Sequence, residues 1–315
     1  MASLVHATIV VPGGACRPLL AYRWGVSTST TPHPAVAALA QIATWPELAE
    51  PIAAAREALT ALRWHQALRR RIPECAAESR VQGAQASGEL EGARLPIEVV
   101  REYLAGVRDW PQDPDPVDAV MKGVIAATVA SEDVRSVVLS APSQALARLH
   151  VAAAGERVDA DSVGRPRQDG EVCGEFVEVG PLPPAREIPE RLALLAEVIR
   201  GHGQVPGVVV SAVAHAEVAT LRPFTVGNGV VARALDRGLV QATGLDPTGV
   251  AVTELGHFRQ GMPAYVGALT AYATGTRDGV RLWLEHSCAA LVAAAQDGQA
   301  VADAVLAGRV PRARG

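Results

Sequence analysis

The residues best placed to do chemistry lie between His215 and Arg233, in the stretch HAEVATLRPFTVGNGVVAR. Val208 to Thr220 is a Val/Ala-rich helical run, and Pro223 closes it, because a proline turns its predecessor away from αR geometry. Gly227-Asn228-Gly229 then supplies a tight turn from which Val230, Val231, Ala232 and Arg233 begin a second helix. Such a turn aims several unpaired backbone N–H groups at one point, where the positive end of the helix dipole also lies. With Arg222 at the mouth of the loop and Arg233 one turn into the helix, the arrangement is a cradle for an anion. A nucleotide, a phosphate or an acidic side chain would each suit it.

Leu221 to Arg233 resembles the signature of the Fic family (Fic/Doc, or Fido, fold), H-x-F-x-(D/E)-G-N-(G/K)-R-x-x-R. Phe224, Gly227, Asn228, Gly229 and Arg233 match in register. Arg222 stands where the family has its catalytic histidine, Val226 replaces the acidic metal ligand, and Val230 replaces the first arginine. Upstream, Ser87-Gly88-Glu89-Leu90-Glu91-Gly92 fits (S/T)-x-x-x-E-(G/N), the inhibitory-helix motif found before the core in many Fic proteins. The same residues also read as a plain helix terminus with Gly92 as its C-cap. The resemblance implies that Ser87, Glu91 and Gly92 are regulatory, with Glu91 pairing with Arg233.

The family's histidine takes a proton from a target hydroxyl, which then attacks the α-phosphate of ATP. Imidazole can do this because its pKa lies near neutrality. A guanidinium cannot, since it stays protonated and offers no lone pair, so no residue is assigned as catalytic. His215 is seven residues before Arg222, about two turns away, and reads as a hydrogen-bonded core histidine. Val226 offers magnesium no oxygen, which argues against Mg²⁺ at this loop. The retained loop points to binding of ATP or another nucleotide at Gly227, Asn228, Gly229, Arg233 and Arg222. A further expectation is that Arg222 reaches Glu91 or a bound anion. Two functions remain open: a degenerate Fic protein without efficient AMP transfer, acting as a nucleotide sensor or regulatory scaffold for a protein partner, or a transferase using non-standard chemistry.

These residues must be positioned by a mainly α-helical chain. At 315 residues one large or two medium domains are expected, and 49% hydrophobic but only 4% aromatic residues call for a core of packed Ala, Val and Leu helices. A net charge of −4 gives no reason to expect nucleic acid or an anionic membrane as partner. Lys122 is the lone lysine, which reads as codon bias. Cys16, Cys75, Cys173 and Cys288 are too dispersed for a disulfide framework or zinc site, and the eight histidines are too scattered for a metal cluster. No apolar run approaches a membrane span and no signal pattern opens the chain, so a cytoplasmic protein is expected.

The spacing predicts helices over Pro46 to Arg71, Glu74 to Gly92, Leu95 to Gly106, Val117 to Ala130, Glu132 to Ala154 with a break at Pro142, Ile188 to Arg200, Met262 to Tyr272 and Gly279 to Ala295. Met1 to Pro12 suggests a strand or surface arm. Val172, Phe176, Val177 and Val179 suggest a small β-hairpin between Gly155 and Pro184. By resemblance that hairpin would be the flap that aligns a target segment; equally it reads as an ordinary surface hairpin. The expected organisation is an N-terminal helical region over 1–131, a Fic-like core over 132–296 and a C-terminal tail over 297–315.

Overall fold

Twelve α-helices form among the residues that the computed structural model describes, 32–309. The expected arm at Met1 to Pro12, Cys16 and all but the first residue of the basic end lie outside them. The helices are α1 (Pro34–Ile42), α2 (Pro46–Arg63), α3 (Ile72–Leu90), α4 (Ile97–Leu104), α5 (Pro116–Val134) and α6 (Pro142–Ala154). They continue with α7 (Ile188–Arg200), α8 (Gly207–Leu221), α9 (Asn228–Ala242), α10 (Thr253–Arg259), α11 (Met262–Ala273) and α12 (Arg277–Leu306). Proline occupies the first turn of α1, α2, α3, α5, α6, α7 and α11, where its missing N–H costs nothing. Pro73 therefore opens α3, and Pro142 opens α6.

Three boundaries differ from the spacing. The helix expected to begin at Glu132 does not form before Pro142: α5 runs on through Val134, and residues 135–141 are turns that lead into α6. The helix expected to reach Arg71 stops at Arg63, because Trp64 turns out to solvent and His65 Nδ1 caps a separate 3₁₀ turn, Gln66–Arg69. At the other end, α12 runs on to Leu306, so residues 297–306 form its last turns and bury Val301, Ala302 and Val305. Gly298 permits this, since a Cβ there would stand 2.8 Å from the Val250 carbonyl oxygen.

At the centre lie α8 and α9. Every residue from Val208 to Leu221 except Glu217 is buried, and so is every residue from Asn228 to Gln241. A helix apolar on all sides must be covered on all sides: α7, α11 and α12 pack against α8, while α5, α6 and α10 pack against α9. One apolar cluster runs from α1 to α12, and α5 crosses the expected boundary at 131/132 without a break. Gly256 brings α10 onto α12, where a Cβ would lie 2.1 Å from the Ala290 carbonyl oxygen. Gly256→Ala is expected to lower stability by about 3 kcal/mol, the upper end for an overpacked core. Thermal melting checks this, and an unchanged midpoint would refute so close an approach.

The hairpin expected between Gly155 and Pro184 does not form; no strand occurs among the described residues. Val172 and Val177 are solvent-exposed, so the apolar alternation that suggested a strand marks no buried face. Pro166, Pro181, Pro183 and Pro184 interrupt any ladder. The carbonyls of this segment turn instead to arginine side chains, as described next.

Candidate functional site

The loop between α8 and α9 is built by its own residues. Arg222 ends α8 in the left-handed region at φ +49°, and Gly227 opens α9 at φ +84°. Between them Phe224 is buried and stacks on the His150 ring at 3.8 Å. The wholly buried Asn228 side chain closes the loop: its Oδ1 accepts from the Phe224 N–H and its Nδ2 donates to the Phe224 carbonyl, both at 2.9 Å.

The anion cradle exists, and a side chain of the same molecule occupies it. Gly227 N–H donates to Glu175 Oε1 at 2.5 Å, and Asn228 N–H donates to Glu175 Oε2 at 2.7 Å. Asn228 Nδ2 adds a third bond to Oε2 at 2.9 Å. The carboxylate thus sits at the N-terminus of a fifteen-residue helix, where backbone donors and dipole both favour negative charge. Burial and the nearby Glu91 nevertheless raise the Glu175 pKa, against the lowering effect of these three bonds. Sequence reasoning placed an acidic side chain among the possible occupants but did not find Glu175, which comes from the segment read as a hairpin.

Deeper in the loop, Arg233 meets α3. Its Nη2 donates to Glu91 Oε1 at 2.6 Å, and its Nε donates to Ser87 Oγ at 2.9 Å. The helix ends here as expected, although Glu91 and not Gly92 is the C-cap of α3; Gly92 follows in the left-handed region at φ +76°, and the same terminus carries the Glu91–Arg233 contact. Gly229 is required for closeness: a Cβ there would fall 2.4 Å from Glu91 Oε1. Burial opposes the charge on Arg233, but Glu91 outweighs it and raises the pKa.

Arg222 does not reach Glu91, and it does not face the cradle. Its guanidinium is buried against the irregular segment and donates to four of its carbonyls, Glu175 at 3.4 Å, Phe176 at 3.2 Å, Gly180 at 3.0 Å and Pro181 at 2.7 Å, with Nε donating to the Thr220 carbonyl at 3.4 Å. The expected contact fails because the left-handed backbone at Arg222 turns its side chain towards residues 175–181. Arg167 supports the same junction from behind, donating to the Arg222 carbonyl at 2.8 Å and the Pro183 carbonyl at 2.5 Å. Burial lowers the pKa of both arginines. The site therefore joins Gly227, Asn228, Gly229, Arg233, Ser87 and Glu91, with Arg222 acting on the segment that delivers Glu175.

Beneath the loop the fold also collects residues that look scattered in the sequence. His215 from α8, Asp236 from α9 and His257 from α10 are buried side by side, with Tyr265 and His286 around them. The histidines are therefore less scattered in space than in the sequence: spacings of twenty-one residues carry no linear signal, and only the packing of three helices brings these groups together. His215 is a buried, hydrogen-bonded histidine as expected, with Nε2 2.7 Å from the Tyr265 hydroxyl. Burial lowers the pKa of His215 to about 4 and of His286 to about 3.

No protein-family model matches the sequence, and no curated protein matches it. Solved structures do. A fragment of Fic-1 from C. elegans aligns over 82% of this chain and 73% of its own length, at TM-score 0.61 and 18% identity. A Fic family protein from Desulfovibrio desulfuricans G20 aligns over 85% and 77%, at TM-score 0.62 and 19% identity. A Fic domain containing signaling protein from Bacteroides thetaiotaomicron VPI-5482 aligns over 80% and 98%, at TM-score 0.56 and 15% identity. The chain has the Fic fold.

Proposed function

We propose that this Fic-fold protein does not transfer AMP and acts instead as a conditional binder of phosphate-bearing ligands, its loop held closed by Glu175 until that carboxylate leaves. The observation that carries this reading is the Glu175 carboxylate on the Gly227 and Asn228 N–H groups. A carboxylate there stands in for phosphate oxygens, which take the same donors. A nucleotide must therefore displace Glu175, and Arg233, whose Nη2 holds Glu91, has its Nη1 without a partner. The nucleotide fits the donors of the loop, whereas magnesium does not fit, because the half-buried Val226 presents no oxygen. General base catalysis at position 222 is absent as well, a loss of about 10²–10⁴-fold by itself.

Calorimetric titration of ATP, paired with a label-transfer assay from α-labelled ATP, tests this. Glu175→Ala should bind about tenfold more tightly than wild type or better, since one charge-assisted hydrogen bond alone is worth that much. No protein should become labelled. Transfer by the wild type at an ordinary enzymatic rate would overturn the reading in favour of a transferase with non-standard chemistry. Equal affinity of wild type and Glu175→Ala would overturn the plug.

The raised Glu175 pKa gives a second check. Its folded value lies above the ordinary 4.5, so the folded protein holds this proton more tightly than the unfolded chain. The linked stability is fully present below about 4.5 and is lost as pH rises through the folded value. The stability difference between wild type and Glu175→Gln should decline across that window and then level off. Denaturant titrations at several pH values measure it, and a flat difference would refute it.

A further inference from the structure

Three helices each bring one potential ligand atom to a common point below the anion loop. His215 Nδ1, an Asp236 carboxylate oxygen and His257 Nε2 all lie within 4.8 Å of one another. Asp236 Oδ2 is 3.6 Å from His257 Nε2 and 3.9 Å from His215 Nδ1, both too long for hydrogen bonds. His215 is fully buried, yet its Nδ1 has no hydrogen-bond partner. Leaving such an atom unpaired in a core costs about 1–3 kcal/mol, so the arrangement calls for something that engages it.

The outward-facing nitrogens are already engaged. His215 Nε2 lies 2.7 Å from the Tyr265 hydroxyl, and His257 Nδ1 lies 3.3 Å from His286 Nε2. Histidines that ligate metals typically carry such an outer partner, which fixes ring orientation and tautomer and leaves the inner nitrogen's lone pair pointing at the ion. Trp283 closes the far side, with its ring 5.2 Å from His215 and 5.9 Å from His257.

We propose that His215, Asp236 and His257 bind a divalent first-row transition-metal ion, of which zinc is the simplest probe. Two imidazoles and one carboxylate match that class, whereas calcium and magnesium demand oxygen ligands. Metal–ligand distances of about 2.0–2.2 Å place donors roughly 3.3 Å apart in a tetrahedral site. A contraction of about half an ångström therefore brings the carboxylate to both rings, and the two ring nitrogens, which lie within 4.8 Å, close by at most about 1.5 Å. With three protein donors, an enclosed water fills the fourth position; because the three residues are buried and tie α8, α9 and α10 together one helical turn from Arg233, we assign the ion to architecture. It is separate from the loop and does not depend on the reading of Glu175.

The test uses the untagged full chain, produced in zinc- or cobalt-supplemented medium and passed over a chelating resin. Elemental analysis should find one equivalent of metal per chain, and the cobalt form should show ligand-field absorption in the visible. Asp236→Asn and His257→Gln should lose both signals. Tyr265→Phe keeps the ring packing and removes the outer partner of His215, along with a hydroxyl near Arg233 that is no ligand, so it should weaken cobalt binding by about 10–100-fold. A folded wild type without stoichiometric metal or a visible band would overturn the proposal and leave an enclosed water as the occupant. Metal retained by Asp236→Asn, or unchanged affinity in Tyr265→Phe, would overturn it too.

Discussion

Glu91→Ala lowers the unfolding free energy by about 3 kcal/mol, the lower end of the cost of removing one partner from a buried ion pair. The penalty comes from Arg233, whose side chain is 1% exposed and keeps neutral partners alone, the Ser87 hydroxyl and carbonyl and the Tyr265 hydroxyl, once the carboxylate is gone. The lower end applies because the Glu91 side chain is itself 14% exposed, so water can enter where it stood. Replacing both residues, as in Glu91→Ala with Arg233→Met, should cost less than Glu91→Ala alone, because no unpaired charge then stays buried. Urea denaturation of the single and double variants measures this. A loss below about 1 kcal/mol for Glu91→Ala would mean that the pair behaves like a surface contact.

Arg222→Ala has a comparable effect by a different route. The side chain donates to the carbonyls of Glu175, Phe176, Gly180 and Pro181, and a neutral methyl leaves all four without it. Hydrogen bonds from charged donors are worth about 1.5–3 kcal/mol each but do not add fully, so about 3 kcal/mol in total is expected. Arg222→Gly should be less damaging by about 1 kcal/mol, since glycine takes the left-handed backbone at φ +49° without strain. Arg222→Lys should not rescue, because an ammonium lacks the planar fork that spans several carbonyls. Proteolysis and amide exchange should show residues 170–184 opening first. A segment that stays protected in Arg222→Ala would refute the clamp.

The loop itself was legible in the sequence because its determinants are local. Pro223, Gly227 and the apolar run after Gly229 each dictate backbone geometry within a few residues. The meeting of Glu91 and Arg233 was legible only through the resemblance, since no spacing rule links α3 to α9. Glu175 was invisible for a physical reason: its position is set by Arg222 holding the carbonyls around it, and side-chain-to-backbone clamps leave no periodic trace. Exposed Val172 and Val177 then imitated a strand. The His215, Asp236 and His257 group was missed in the same way, because α8, α9 and α10 contribute one residue each and packing alone unites them.

The separations that hide the site from linear reading also govern when it can form. Arg233 finds Glu91 across 142 residues, and Asn228 finds Glu175 across 53. Contacts of such range carry the loop-closure entropy of everything between them and are made after the local helices. During synthesis α3 leaves the ribosome long before α9 exists, so the face of Ser79, Gly83 and Ser87, which packs against Arg237 and Arg233 of α9, waits for its partner. An unfinished chain consequently presents helices but no grip for an anion, and the grip arrives in the same late event that sets Glu175 into it.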